Sequence, residues 1–152
     1  MNGEQSIAKR VGRFVVNPVA RWTAVAGGAG LLFLGASVPN GALAVLTGLP
    51  VPTGPVGTDA WLHFFGYGAL AVLLCVALQS GNRPRPFVSA FCGVAGYGVS
   101  TELLHAAVPY RTFSTIDIAA NVAGAFAGCG AVWIAWVLLG LRSPASRAPR
   151  IP

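Results

Sequence analysis

Four stretches of the chain are apolar almost without a break, roughly residues 22–38, 60–79, 87–108 and 116–141, and most charged residues fall between or beyond them. A helix crosses the hydrocarbon core of a bilayer in about 20 residues, so each stretch has the length of a span. Inside lipid every backbone N–H and C=O must find its partner within the protein, which leaves helices as the economical solution for separate apolar runs. The pattern therefore predicts an all-α, polytopic membrane protein, a bundle of four transmembrane helices. Between the first two spans lies a fifth apolar segment, "NGALAVLTGLPVPTGPVGT", broken by glycines and by Pro50, Pro52 and Pro55. Proline removes helix hydrogen bonds, and this segment is predicted to be a loop along the membrane surface with at most one short interfacial helix.

Composition agrees with the pattern. Of 152 residues, 55% are hydrophobic and 9% charged, against roughly a quarter charged in ordinary soluble domains. Ten Lys and Arg face four acidic residues for a net charge of +6. That excess does not point to nucleic acid, because the basic residues flank apolar runs and form no aromatic-interleaved patch.

Where the charges fall gives the orientation. Lys9, Arg10, Arg13 and Arg21 precede the first span, Arg83 and Arg85 separate the second from the third, and Arg142, Arg147 and Arg150 follow the fourth. Arg111 alone remains for the other side. The positive-inside rule then predicts a multi-pass protein of the cell membrane with both termini cytoplasmic. A basic cytoplasmic segment over 1–20 leads into a transmembrane domain over 21–141, and a basic tail over 142–152 lies near anionic headgroups. A cleaved signal peptide ending near "GASVPNGA" is the weaker reading of the first span, since it would leave three spans and an unbalanced charge pattern.

With this topology the chemistry-bearing residues converge on the outer layer. Asp59 and His63 begin the second span, Glu102 and His105 end the third, Asp117 and Asn121 begin the fourth, and Arg111 lies in the turn between the last two. Residues four apart share a helix face, which aligns Asp59 with His63 and Tyr67, and Asp117 with Asn121, Gly124 and Gly128. Thr101, Glu102 and His105 share a side of the third span, with Tyr97 one turn deeper. Glu102 is expected about five residues, roughly 8 Å, below the helix end. A carboxylate at that depth needs a partner, and Arg111 or a histidine is available. Gly124 and Gly128 have the small-xxx-small spacing that admits a neighbouring helix.

The segments "DAWLHFFGY" and "ELLHAAVPYRTFSTIDIAANVAG" resemble the VanZ-like membrane proteins. That family's pattern runs Asp-Lys-x-x-His-Phe-x-x-Tyr, then Glu-x-x-Gln-x-x-x-Pro-x-Arg, then Asp-x-x-x-Asn-x-x-Gly. The matching positions are Asp59, His63, Phe64, Tyr67, Glu102, Pro109, Arg111, Ser114, Asp117, Asn121 and Gly124, within residues 59 to 128. Ala60 stands where a lysine is usual and His105 where a glutamine is usual. The resemblance implies an envelope-associated membrane protein and, through the protein that gives the family its name, a link to teicoplanin resistance. It supplies no reaction.

Several chemistries fit this set of residues. In an enzyme acting on a lipid-linked or envelope substrate, Asp59, His63, Glu102 and Asp117 are the catalytic candidates, with His63 or Glu102 as general acid or base. Tyr67, His105, Arg111 and Asn121 are the ligand-binding candidates, Arg111 offering a planar fork to a phosphate or carboxylate. A non-catalytic site for an anionic headgroup or envelope ligand uses the same residues. The alternatives are a structural ion-pair network and a proton-coupled transporter, the latter disfavoured by the lack of an internal repeat. "ELLH" has the Glu-x-x-His spacing of carboxylate-bridged metal sites in bundles, in one copy where such sites use two, although "DAWLH" supplies a second carboxylate-histidine pair; the residues are read as holding no metal, and no cofactor is expected. Membrane lipids are the expected partners. Cys75, Cys92 and Cys129 have no paired spacing and are read as packing residues. Trp22 and Trp61 suit interface anchoring, and "AGGAG" in the first span is read as a helix contact.

Overall fold

The computed structural model describes residues 17–37, 57–79, 86–109 and 113–138. They form four helices, α1 Pro18–Ser37, α2 Thr58–Leu78, α3 Pro86–His105 and α4 Thr115–Leu138. Each is long and apolar enough to cross a membrane. The chain is an all-α, multi-pass membrane protein. The proline-rich segment after the first span, both basic ends and Arg111 lie outside the described residues.

Local chemistry sets the helix ends. Asn17 Oδ1 accepts hydrogen bonds from the N–H groups of Val19 at 3.0 Å and Ala20 at 3.3 Å, and Pro18 takes the first helical position, where its missing N–H costs nothing. The first helix therefore starts four residues earlier than its apolar stretch suggests, and Arg21 becomes part of it. At the end of α3 the chain tightens: Ala107 N donates to Leu104 O and Val108 N to His105 O, both at 3.0 Å. These are three-residue turns, produced as the chain approaches Pro109, before which helical geometry is disfavoured. The helix therefore ends at His105 and not near Val108. Glu102 lies three residues from that end, about 4.5 Å along the axis, shallower than the sequence suggests.

The helices run up and down, so the start of α2, the end of α3 and the start of α4 share one end of the bundle. At the opposite end Phe87 of α3 meets Trp136 of α4 edge to face at 5.1 Å, and Arg21 of α1 reaches Val76 O of α2. The core between them holds Tyr67, Leu70, Ala71 and Cys75 of α2, Ala90 and Val94 of α3, and Ala125, Cys129 and Val132 of α4. Large apolar side chains such as Leu31, Leu34, Phe65, Phe126, Val137 and Leu138 point outward, as lipid allows.

Helices α2 and α4 form the closest pair, and glycine is the reason. A Cβ on Gly124 would collide with the carbonyl of Phe64, and one on Gly128 with the carbonyl of Gly68. The expected small-residue spacing thus brings the two backbones into direct contact, in a setting where dispersion between close backbones drives association. Helix α1 is peripheral, and Arg21 is its one buried residue. Within "AGGAG", Gly28 lies against Leu70 and Leu73, whereas nothing lies within 4 Å of a Cβ built on Gly27 or Gly30.

Candidate functional site

The glycine contact places His63 of α2 one turn from Asn121 of α4. Asn121 is fully buried. Its Nδ2 donates to Gly98 O of α3 at 3.3 Å, which turns its Oδ1 toward His63 Nδ1 at 2.8 Å. That amide orientation makes His63 Nδ1 the donor, so in the neutral ring Nε2 carries the free lone pair. Gly98 is needed here: a Cβ at that position would lie 2.8 Å from Asn121 Cβ.

His63 Nε2 faces Glu102 Oε1 at 3.9 Å. Glu102 is completely buried. Its Oε2 accepts from Ser114 N at 3.3 Å, so the start of α4 presents a backbone donor to the carboxylate. Its Oε1 also lies 3.1 Å from His105 Nδ1, yet makes no aligned hydrogen bond to any described residue. The partner expected for Glu102 is thus found among described residues as two histidines, one from its own helix and one from α2.

Asp117 enters from the first turn of α4. Ser114 Oγ accepts from Asp117 N at 3.2 Å and caps the helix, where negative charge on Asp117 meets the positive end of the helix dipole. His63, Glu102 and Asp117 each bring one possible ligand atom to the same place, the three atoms lying within 4.8 Å of one another. Below them Tyr67 stacks on His63 with ring centroids 5.8 Å apart and its hydroxyl meets Thr101 Oγ1 at 2.6 Å. Thr101 gives its own proton to Gly98 O at 2.8 Å, so Tyr67 donates to Thr101.

Among the sequence candidates, His63, Tyr67, Glu102, His105, Asp117 and Asn121 come together. Asp59 lies half-buried in the first turn of α2 and is not among the residues whose donor atoms converge. Arg111 lies outside the described residues. Thr101, Ser114 and Gly98 hold the assembled groups in place and were not candidates; the sequence placed Thr101 on the Glu102 side of its span and Ser114 among the motif positions. His105 also borders an apolar cleft of about 200 Å³ between α1 and α3, lined by Phe33, Ala36, Leu104 and Val108. His105 Nε2 is buried and has no hydrogen-bond partner among the described residues.

Comparison of the chain with family models, with curated proteins and with solved structures finds no match.

Proposed function

We propose that this protein uses the site at the start of α2 and α4 to bind or act on an anionic lipid-linked or cell-envelope ligand from the outer face of the cell membrane. The observation that carries the reading is the meeting of a buried acid-base set, His63, Glu102 and His105, with an apolar cleft that reaches His105. An amphipathic ligand needs both, since its acyl part requires an apolar path and its headgroup requires polar partners near the membrane surface. His63 and Glu102 are close enough to exchange a proton through one intervening group. Two carboxylates alone would repel an anion. Arg111, three residues before Ser114, is the cation this reading requires. The nine-to-one division of Lys and Arg supports an outward site, and the VanZ-like motif supports an envelope role.

A structural network is the competing reading, favoured by the bonds through which Asn121 and Glu102 tie α2, α3 and α4 together. The two separate on His63→Ala and Asp59→Asn. Lipids retained after extraction into mild detergent are measured by native mass spectrometry beside membrane abundance and thermal stability. Loss of a retained anionic lipid with abundance near wild type is the expected outcome for His63→Ala, while Asp59→Asn, outside the converging residues, should leave both near wild type. Equal loss of abundance and lipid in His63→Ala, or lipid retention unchanged in it, overturns the reading.

A further inference from the structure

We propose that His63, Glu102 and Asp117 form a binding site for a first-row divalent cation of the zinc class. The proposal rests on donor geometry and stands whether or not the site takes an anionic lipid. In the sequence the Glu-x-x-His spacing occurs once, in "ELLH", where bundles use two, and the second carboxylate-histidine pair is the differently spaced "DAWLH". The fold builds a different set, one donor from each of α2, α3 and α4.

The geometry is close to that of a metal centre. In a tetrahedral site, donor atoms 2.0–2.2 Å from the ion lie about 3.3–3.6 Å apart; here the three lie within 4.8 Å, so side-chain movements of up to about an ångström close the site. Three protein donors leave a coordination position open, the arrangement of catalytic zinc sites and not of closed structural ones. One imidazole with two carboxylates favours zinc-like ions over magnesium, which prefers oxygen donors.

Two further observations point to a cation. Glu102 is 0% exposed, and its Oε1, 3.1 Å from His105 Nδ1 and 3.9 Å from His63 Nε2, makes no aligned hydrogen bond among the described residues. A buried, unsatisfied carboxylate oxygen is costly unless something positive meets it. The second observation is how His63 is held. A metal-bound histidine typically donates its other ring N–H to an oxygen, which fixes the tautomer and the ring plane. His63 Nδ1 does this to Asn121 Oδ1 at 2.8 Å, and Asn121 is itself fixed by Gly98 O. The free lone pair of His63 Nε2 then faces a carboxylate oxygen. Two acceptors directed at each other need a cation between them.

The competing occupants of that space are a proton on His63 and the guanidinium of Arg111. The deciding experiment uses the full-length chain in mild detergent with Cys75, Cys92 and Cys129 replaced by Ala, so that thiolates cannot bind the probe. The protein is stripped with a chelator, titrated with Zn2+ by calorimetry, and examined with Co2+ for the absorption bands of a low-symmetry protein site. Saturable binding of one ion per chain is expected. His63→Ala and Asp117→Asn should abolish it, and Asn121→Ala should weaken it roughly 10–100-fold as loss of an outer-shell partner does. Thermal unfolding of each stripped variant checks that the bundle is intact; if His63→Ala does not fold, His63→Gln takes its place. No saturable binding, binding that survives His63→Ala or Asp117→Asn in a folded protein, or binding that appears only after Arg111→Ala overturns the proposal.

Discussion

The two ends of the bundle each bury a charged residue, Glu102 at one and Arg21 at the other, and they treat it in opposite ways. Arg21 is 4% exposed and donates from Nη1 to Val76 O at 3.4 Å. Val76 belongs to the last turn of α2, whose carbonyls lack helical partners and carry the negative end of the helix dipole. The carbonyl answers Nη1 while Nε is buried without a hydrogen-bond partner among the described residues, and no acidic side chain among the described residues forms an ion pair with Arg21. Around Glu102 stand His63, His105 and Asp117, more acid-base capacity than one carboxylate needs. The surroundings are equally distinct. Near the Arg21 end the interior is built of Phe87 against Trp136, and of the Cys75 and Cys129 thiols, 3.5 Å apart. A buried charge with one partner holds helices together, whereas a buried charge with surplus partners has room for chemistry.

The largest effect that can test this contrast is all-or-none. If the Glu102 end faces outward, Thr112→Cys in a background lacking the native cysteines reacts with an impermeant thiol reagent on intact cells, and Asn82→Cys does not. The reverse labelling would assign the site to the cytoplasm and the Arg21 end to the exterior.

A smaller, graded effect separates the two charges. Arg21→Met keeps the length of the side chain and removes the donor to Val76 O. It should lower stability by about 1–3 kcal/mol, the cost of leaving a buried group unpaired, with lipid retention and Zn2+ binding unchanged. A loss of either would make Arg21 part of the site's machinery. The smallest effect concerns Tyr67→Phe, which removes one hydrogen bond to Thr101 while Thr101 keeps Gly98 O. Hydrogen bonds between helices in lipid average about 0.6 kcal/mol, so a shift of that order in a denaturation midpoint is expected. A loss of several kcal/mol would mean that Tyr67 anchors the bundle.

Four spans were legible because lipid imposes one rule on every segment, and a run of apolar residues answers it. The end of α3 was less legible. The apolar pattern continues through Ala106, Ala107 and Val108, and only the turn toward Pro109 ends the helix. The convergence of His63, Glu102, His105, Asp117 and Asn121 on one layer could be read from topology, since each lies near the same end of its span. Their pairing could not be read that way. Which donor meets Glu102 depends on how closely α2 approaches α4, and Gly68, Gly124 and Gly128 set that distance without carrying any chemistry themselves. Arg21 was counted only as a flanking charge, because nothing in its neighbourhood in the sequence announces that Val76, 55 residues later, supplies its acceptor. All three cysteines were read as packing residues; Cys75 and Cys129 are buried, whereas Cys92 is exposed.

Helix α1 has a consequence for how the chain is made. Two of its hydrogen bonds to the bundle are to residues synthesised much later: Arg21 to Val76 across 55 positions, and Ala29 O to the Tyr97 hydroxyl across 68. At about 5–20 residues per second of translation, these separations correspond to roughly 3 to 14 s. During that interval the first helix lacks both hydrogen bonds, and its composition suits the wait. Leu31, Phe33 and Leu34 are exposed even in the finished protein, and Arg21 lies in the first turns, where a long side chain can extend to the headgroups. Docking α1 is then the withdrawal of one arginine from the membrane surface onto the end of a helix that had not been made when that arginine first arrived there.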